Sequence, residues 1–372
     1  MRTLLCLFLT FIISKTQSER VGNLVLLKDA VKDGAVCLDG SAAGYFIDRT
    51  PSKRWIIHLE GGGWCYSEGD CYNRSFIDLG SSKNWQTKFE LAGFLNNDPD
   101  VNPNFANYTV VFVPYCDGAS FSGNRDEPVV VNGRKIYFRG HRILTALVDA
   151  LIENEGLKEA EAIILTGCSA GGLATFLHLD YVRSRFPYSD VHGLADAGYF
   201  VDAPNVNRDM HARRQFQYIF HMQNCSEGVN RDCFESNEID GWQCFMAQYT
   251  YPYIQTPIFV LNSLYDTWQL GNILQLGCNP PDCNNTRMLE FFAWRTTFLN
   301  ALKPVIQWGQ NGVFADACLQ HCQSVNDIPW SRIKVWGQNA HDMFSDWYIN
   351  KRGTRTGIDG VYPNNPTCGD ND

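Results

Sequence analysis

Gly167-Cys168-Ser169-Ala170-Gly171 joins a strand-like run to a helix-like one, and this junction constrains the fold more than any other stretch of the chain. The preceding Ala162-Ile163-Ile164-Leu165-Thr166 is short, apolar and β-branched, as a buried parallel strand is. After Gly172, the residues Leu173, Phe176, Leu177 and Tyr181 recur at helical spacing. A serine between small residues at a strand-to-helix turn reads as a nucleophile elbow. The glycines permit the sharp turn, and the hydroxyl stands above the sheet at the positive end of a helix. The plainer reading is a glycine-rich loop whose serine only caps the helix. The strand–turn–helix context favours the nucleophile.

Other apolar runs extend the pattern: Trp55–Leu59, Thr109–Val113, Pro257–Leu261 and Ile333–Trp336 as strands. Between them, His141 to Glu153 presents Ile143, Leu144, Leu147, Val148 and Leu151 on one helical face. Met288 to Leu302 does the same with Leu289, Phe292, Leu299 and Leu302. Strands alternating with helices predict an α/β fold, a doubly wound and mostly parallel sheet of the α/β-hydrolase kind with helices on both faces. Reactive residues then sit on loops beyond the carboxyl ends of the strands. Residues 201–250 are polar, cysteine-bearing and poorly periodic, which suits a cap region.

The amino terminus, Met1-Arg2 followed by the apolar run Leu4–Ile13, has the layout of a secretory signal peptide. Residues 1–18 are read as that leader, with cleavage near Ser18, and 19–372 as one esterase domain. The apolar run is too short to span a bilayer. A formal charge of −9, more negative once Arg2 and Lys15 leave, argues against nucleic acid or an anionic membrane as partner. Of 14 cysteines Cys6 lies in the leader, so an odd number remains and at least one thiol is unpaired. Secretion favours disulfides over a metal site, and no pair of Cys-x-x-Cys hooks is present. Cys65 with Cys71, and Cys278 with Cys283, would close short loops. Sequons at Asn73, Asn107, Asn224 and Asn284 can carry glycans.

A serine nucleophile needs a base, and the base needs an orienting group. In this fold the acid follows the serine and the histidine follows the acid. Only His321 and His341 lie late enough in the chain. Asp266, on the loop after Pro257–Leu261, stands where an orienting carboxylate belongs; the alternative is a solvated loop aspartate. His321 lies between Cys318 and Cys322, and bridging both would hold the imidazole rigidly. His341, followed by Asp342, suits a helix entry and is the competitor. Glu60-Gly61-Gly62-Gly63-Trp64, directly after the Trp55–Leu59 strand, exposes backbone N–H groups for an oxyanion. Its plainer reading is a tight structural turn. Ala170, after the nucleophile, supplies a further donor.

His58–Cys65, Tyr115–Phe121, Gly167–Leu173, Asn262–Gln269 and His321-Cys322-Gln323 resemble the motifs of the pectin acetylesterase family, in that family's order. Val36–Ser41 and Asp346-Trp347-Tyr348 also fit, so the likeness spans about residues 21–368. The resemblance implies Ser169, Asp266 and His321 as catalytic residues, Gly62, Gly63 and Ala170 as oxyanion donors, and neither metal nor organic cofactor. The same superfamily includes the Notum carboxylesterases. Leu179, Gly193, Gly360 and Asn364 stand where plant members carry cysteines, so this chain departs from the plant pattern. Cys168 is either the unpaired thiol or a partner of Cys116.

The resulting expectation is a secreted, monomeric serine carboxylesterase, extracellular or in a cell wall. It would remove O-acetyl groups from a pectin-like polysaccharide or another small acyl ester. A Notum-like lipid-directed esterase and a catalytically silent binding protein are the alternatives. Deacetylation predicts a shallow acyl pocket; the nearby aromatics Trp64, Phe121 and Trp268 are read as closing it, with a sugar-stacking wall as the alternative.

Overall fold

The computed structural model describes residues 19–236, 240–307, 310–350 and 355–369; the expected leader over 1–18 lies outside them. The β-branched and aromatic runs form the strands of a ten-stranded sheet. In chain order these are β1 (Val21–Leu26), β2 (Gly44–Asp48), β3 (Arg54–Leu59), β4 (Lys88–Glu90), β5 (Thr109–Val113), β6 (Ala162–Cys168), β7 (Asp190–Asp196), β8 (Ile258–Leu261), β9 (Gly312–Ala315) and β10 (Thr356–Ile358). Their spatial order is β10-β9-β8-β7-β6-β3-β5-β2-β1-β4. Pairing is parallel from β10 through to β5. The β2, β1 and β4 strands add on antiparallel.

Alternation along each strand feeds two hydrophobic cores, one per face. Ile57 and Leu59 of β3 face one side with Val111, Ile163 and Leu165. That core also holds helix Gly140–Asn154, whose buried residues include the five expected from its periodicity. Ile56, Val110, Phe112 and Ile164 face the other side, where Trp330, Met343 and Phe344 cover the sheet. Helices thus lie on both faces, as the alternating pattern predicts.

Three details differ from the expectation. Ile333–Trp336 contributes no strand to the main sheet: Lys334–Val335 pairs with Gln338–Asn339 in a small hairpin that turns through Trp336 and Gly337, both at positive φ. A strand not expected from the sequence is β9, a four-residue run ahead of His321. The second helix extends over Asn285–Gln307 and buries Phe291, Trp294, Phe298, Leu302 and Val305, leaving Leu289 and Phe292 exposed.

Six disulfides are present among the described residues: Cys37–Cys116, Cys65–Cys71, Cys168–Cys322, Cys233–Cys244, Cys278–Cys283 and Cys318–Cys368. The two short loops close as expected. Cys168 is neither free nor joined to Cys116; the free thiol is the buried Cys225. No helix among the described residues is long and apolar enough to cross a membrane.

Candidate active site

The strand ends converge on Ser169, which sits between β6 and helix Ala170–Arg185 with φ 59° and ψ −121°. This is strained for a residue with a side chain, and it is the geometry that lifts a hydroxyl off the sheet. Two contacts fix it. The Ser169 N–H donates to the Asp196 carbonyl at the end of β7 (3.0 Å), and the Ser169 carbonyl accepts the Leu173 N–H (2.8 Å). The turn packs directly on the glycine loop after β3. A Cβ on Gly171 would lie 1.9 Å from the Leu59 carbonyl oxygen, so a side chain there is sterically excluded.

From the end of β8, Asp266 caps helix Thr267–Asn272, its Oδ1 accepting the Gln269 N–H (2.9 Å). Its Oδ2 is 2.8 Å from His321 Nδ1, and His321 Nε2 is 2.9 Å from Ser169 Oγ. Asp266 is fully buried and Ser169 nearly so. Burial pulls the His321 pKa down, but the Asp266 carboxylate beside it, with a smaller contribution from Asp196, outweighs burial and leaves it raised above 6.5. The structure therefore brings together the three residues singled out by chain order. His341 lies elsewhere. It is buried in the first turn of helix Ala340–Ser345, paired with Asp342 (3.0 Å) and edge-on to Trp330.

Gly62 and Gly63 adopt φ 138° and 65°, and Gly63 has open space where a Cβ would stand. The backbone there is left bare beside Ser169, in the same cleft. Ala170 is the first helical residue, so its N–H has no carbonyl one turn earlier within the helix. The Tyr115–Phe121 motif braces this loop from behind. Ser120 accepts the Trp64 indole N–H (2.8 Å), while Asp117 Oδ2 accepts the N–H groups of Ala119 and Phe121. Burial raises the Asp117 carboxyl to about 7.

The cleft beside Ser169 is larger than one methyl group requires. It holds about 650 Å³, and its largely apolar walls include Leu79, Phe89, Leu95, Phe112, Trp268 and Val325. Part of this aromatic lining comes from distant strands: Phe89 of β4 stacks on Phe112 of β5 (4.1 Å), and Phe112 on His58 of β3 (5.4 Å). Burial lowers His58 to about 3, so that ring is neutral at physiological pH. Of the three aromatics expected to close the pocket, Trp268 lines the cleft, while Trp64 and Phe121 do not. Trp64 is wedged among Phe200, Phe216 and Trp268 at 4.9–5.4 Å, and Phe121 is fully buried. Phe216 belongs to helix His211–Gln223, so the 201–250 region packs behind Trp64, and none of its described residues lines the cleft.

Two acids escaped the sequence reading. Glu60 lines the cleft and accepts the Tyr115 N–H (2.7 Å), and burial raises its carboxyl to about 7. Asp196 is fully buried at the end of β7 and accepts both the N–H and the hydroxyl of Ser324 (2.6 and 2.7 Å). Burial raises it to about 6. An aspartate at the carboxyl end of a parallel strand was the available signal. The one group of metal-ligating type among the described residues is Cys168, His321 and Cys322, and its two sulfurs are spent in a disulfide.

The family model for pectinacetylesterases matches residues 15–369. The chain belongs to the pectinacetylesterase family. Pectin acetylesterase 5 of Arabidopsis thaliana is 34% identical over 364 residues, covering 93% of this chain and 84% of that protein. The palmitoleoyl-protein carboxylesterase NOTUM of Schmidtea mediterranea is 30% identical over 351 residues, covering 89% of this chain and 63% of that one. The solved structure of the Wnt deacylase Notum from Drosophila superposes with a TM-score of 0.83 at 25% identity, covering 94% of this chain and 99% of that one. As a member of this family the protein is a carboxylic ester hydrolase with an α/β-hydrolase-like fold.

Proposed function

We propose that the protein is a secreted serine carboxylesterase that removes O-acetyl groups from a polysaccharide. The observation that carries this reading is the hydrogen-bonded chain from Ser169 Oγ through His321 to Asp266, at 2.9 and 2.8 Å. Ser169 attacks the ester carbonyl as His321 Nε2 takes its proton. Asp266 keeps the imidazole in the tautomer that can accept it and stabilises the imidazolium that forms. The N–H groups of Gly62, Gly63 and Ala170 receive the oxyanion, each donor contributing about 3 kcal/mol to the transition state. His321 then protonates the departing sugar oxygen, leaving acetyl on Ser169. Water, activated by the same imidazole, hydrolyses the acetyl-enzyme. The chain's own groups supply each step, so no cofactor is invoked.

Support for the polysaccharide comes from the pectin acetylesterases among its relatives and from the open, aromatic-walled cleft, where Phe89 and Trp268 can stack on sugar faces. Secretion is supported by the leader-like amino terminus and by six disulfides. A second reading, deacylation of a lipid ester, is favoured by one observation: the cleft is far larger and more apolar than one methyl group needs. Cavities of roughly 300–1,000 Å³ accept whole drug-sized ligands.

An acyl-chain-length series of p-nitrophenyl esters, run beside acetate release from acetylated pectin, separates the readings. Turnover falling steeply beyond butyrate, with acetate released from the polymer, supports deacetylation. A maximum at long chains supports the lipid reading. No turnover of any ester overturns both and leaves the binding-protein alternative.

A further inference from the structure

The residue before Ser169 is bonded to the residue after His321. Cys168 and Cys322 lie 154 positions apart in sequence, with Cα atoms 5.5 Å apart in the fold, and both line the cleft. The loop carrying His321 has other anchors. Cys318 is bridged to Cys368 and its carbonyl accepts the Ser263 hydroxyl (2.5 Å). The Gln320 carbonyl accepts the Thr267 N–H (3.1 Å), and Ser324 is held by Asp196. These contacts tie the loop to the ends of β8 and β7 and to the tail. Its covalent tie to the elbow that carries Ser169 is the Cys168–Cys322 bond. Cys322 also has φ 68°, a conformation that side-chain-bearing residues rarely hold unless their surroundings impose it.

We propose that Cys168 and Cys322 are positioning residues for the ester hydrolysis, their disulfide fixing the distance between base and nucleophile, and that its reduction by a small dithiol turns the enzyme down reversibly. The inference rests on the assignment of Ser169 and His321 above. In the reduction, one thiolate of the dithiol attacks one sulfur of the pair and releases the other cysteine. The second thiol then closes the reagent into a cyclic disulfide. The dithiol supplies two electrons and two protons, and both cysteines end as thiols. Because the bond borders the cleft, a small reagent reaches it without unfolding. Release of the His321 loop then costs the proton transfer its geometry, while the cleft walls that bind substrate stay in place.

The test compares Cys168→Ser/Cys322→Ser with Cys278→Ser/Cys283→Ser, which removes a loop-closing disulfide outside the cleft. Rates on p-nitrophenyl acetate are measured well below each melting temperature. In the first variant kcat should fall about 10- to 100-fold, the loss that ångström-scale misplacement produces. KM should stay nearly constant, and fluorophosphonate labelling of Ser169 should slow in proportion. The acidic limb of kcat/KM should also move toward the ordinary imidazole value as His321 loosens from Asp266, a change that a purely structural role would not cause. The second variant should keep its kcat.

If the first variant does not fold, the wild-type enzyme is reduced stepwise in native buffer and residual kcat is plotted against alkylation of Cys168 and Cys322. Chelator is present throughout, because the freed sulfurs and the His321 ring lie within 4.8 Å of one another and could hold a stray zinc ion. Loss of activity that tracks these two thiols and returns on reoxidation supports the proposal. Unchanged kcat with the pair removed or reduced, or a loss confined to KM, overturns it. Ser169→Ala assayed alongside separates the two claims: activity retained in that variant refutes the site assignment itself.

Discussion

Asp266→Asn changes one atom type at the centre of the proposed mechanism and leaves the packing alone. In the wild type, Oδ1 caps helix Thr267–Asn272 through the Gln269 N–H and Oδ2 accepts from His321 Nδ1. Asparagine caps a helix as well as aspartate, so the fold should persist with little change in melting temperature. At Nδ1 the consequence is larger. An amide that presents its NH2 to the ring selects the tautomer with the proton on Nε2, and that nitrogen then donates to Ser169 instead of accepting from it. Loss of the working tautomer costs about four orders of magnitude in kcat, or about 5.5 kcal/mol of transition-state stabilisation. The pH profile moves as well. Catalysis needs neutral His321, whose pKa is raised because Asp266 and Asp196 outweigh burial, so the wild-type acidic limb lies above 6.5. Removing the Asp266 charge lets burial dominate, and the limb shifts to lower pH. The assay is kcat/KM for p-nitrophenyl acetate from pH 4 to 9, with thermal melts of both proteins. A folded variant that retains kcat within about tenfold, or whose acidic limb does not move, refutes the reasoning.

Asp196→Asn should flatten the stability profile. The native carboxyl titrates at about 6 against 3.8 when exposed, so the folded state binds the extra proton and stability falls as pH rises through that window. Melting temperatures from pH 4 to 7 should therefore fall less in the variant than in the wild type. Gly171→Ala, with its Cβ 1.9 Å from the Leu59 carbonyl, should lose about 3 kcal/mol or more of stability, read as a lowered denaturant midpoint. A chelator should leave esterase activity of the untreated enzyme unchanged; stoichiometric zinc in the active protein would contradict this.

What the sequence made legible follows local rules. The elbow is one continuous pentapeptide with strand and helix signals on either side. The Gly140–Asn154 helix carries its apolar stripe in plain spacing. The order of serine, acid and histidine narrowed eight histidines to two, and the cysteines about His321 together with the family resemblance separated those two. What remained hidden depends on partners far away in the chain. β4 and β10 are three-residue strands defined by their pairing. The cleft lining combines His58, Phe89 and Phe112, whose rings meet only once β3, β5 and the edge strand β4 are assembled in one sheet. Cys168 found Cys322 across 154 residues, a pairing that an odd set of cysteines does not specify. The size of the cleft stayed hidden for the same reason. The nearby aromatics Trp64 and Phe121 are buried away from the cleft, and beside Trp268 its walls include Leu79, Phe89 and Leu95, which lie outside every motif.

The central claim is that Ser169 is the nucleophile activated by His321. Its most direct test is to treat the folded enzyme with a fluorophosphonate and locate the adduct by peptide mass spectrometry, with and without His321→Ala. The account predicts one adduct, on Ser169, formed in step with loss of esterase activity and slowed by orders of magnitude when His321 is removed. An active enzyme that is not labelled, an adduct on another residue that accounts for the lost activity, or labelling of Ser169 that is indifferent to His321 would contradict it.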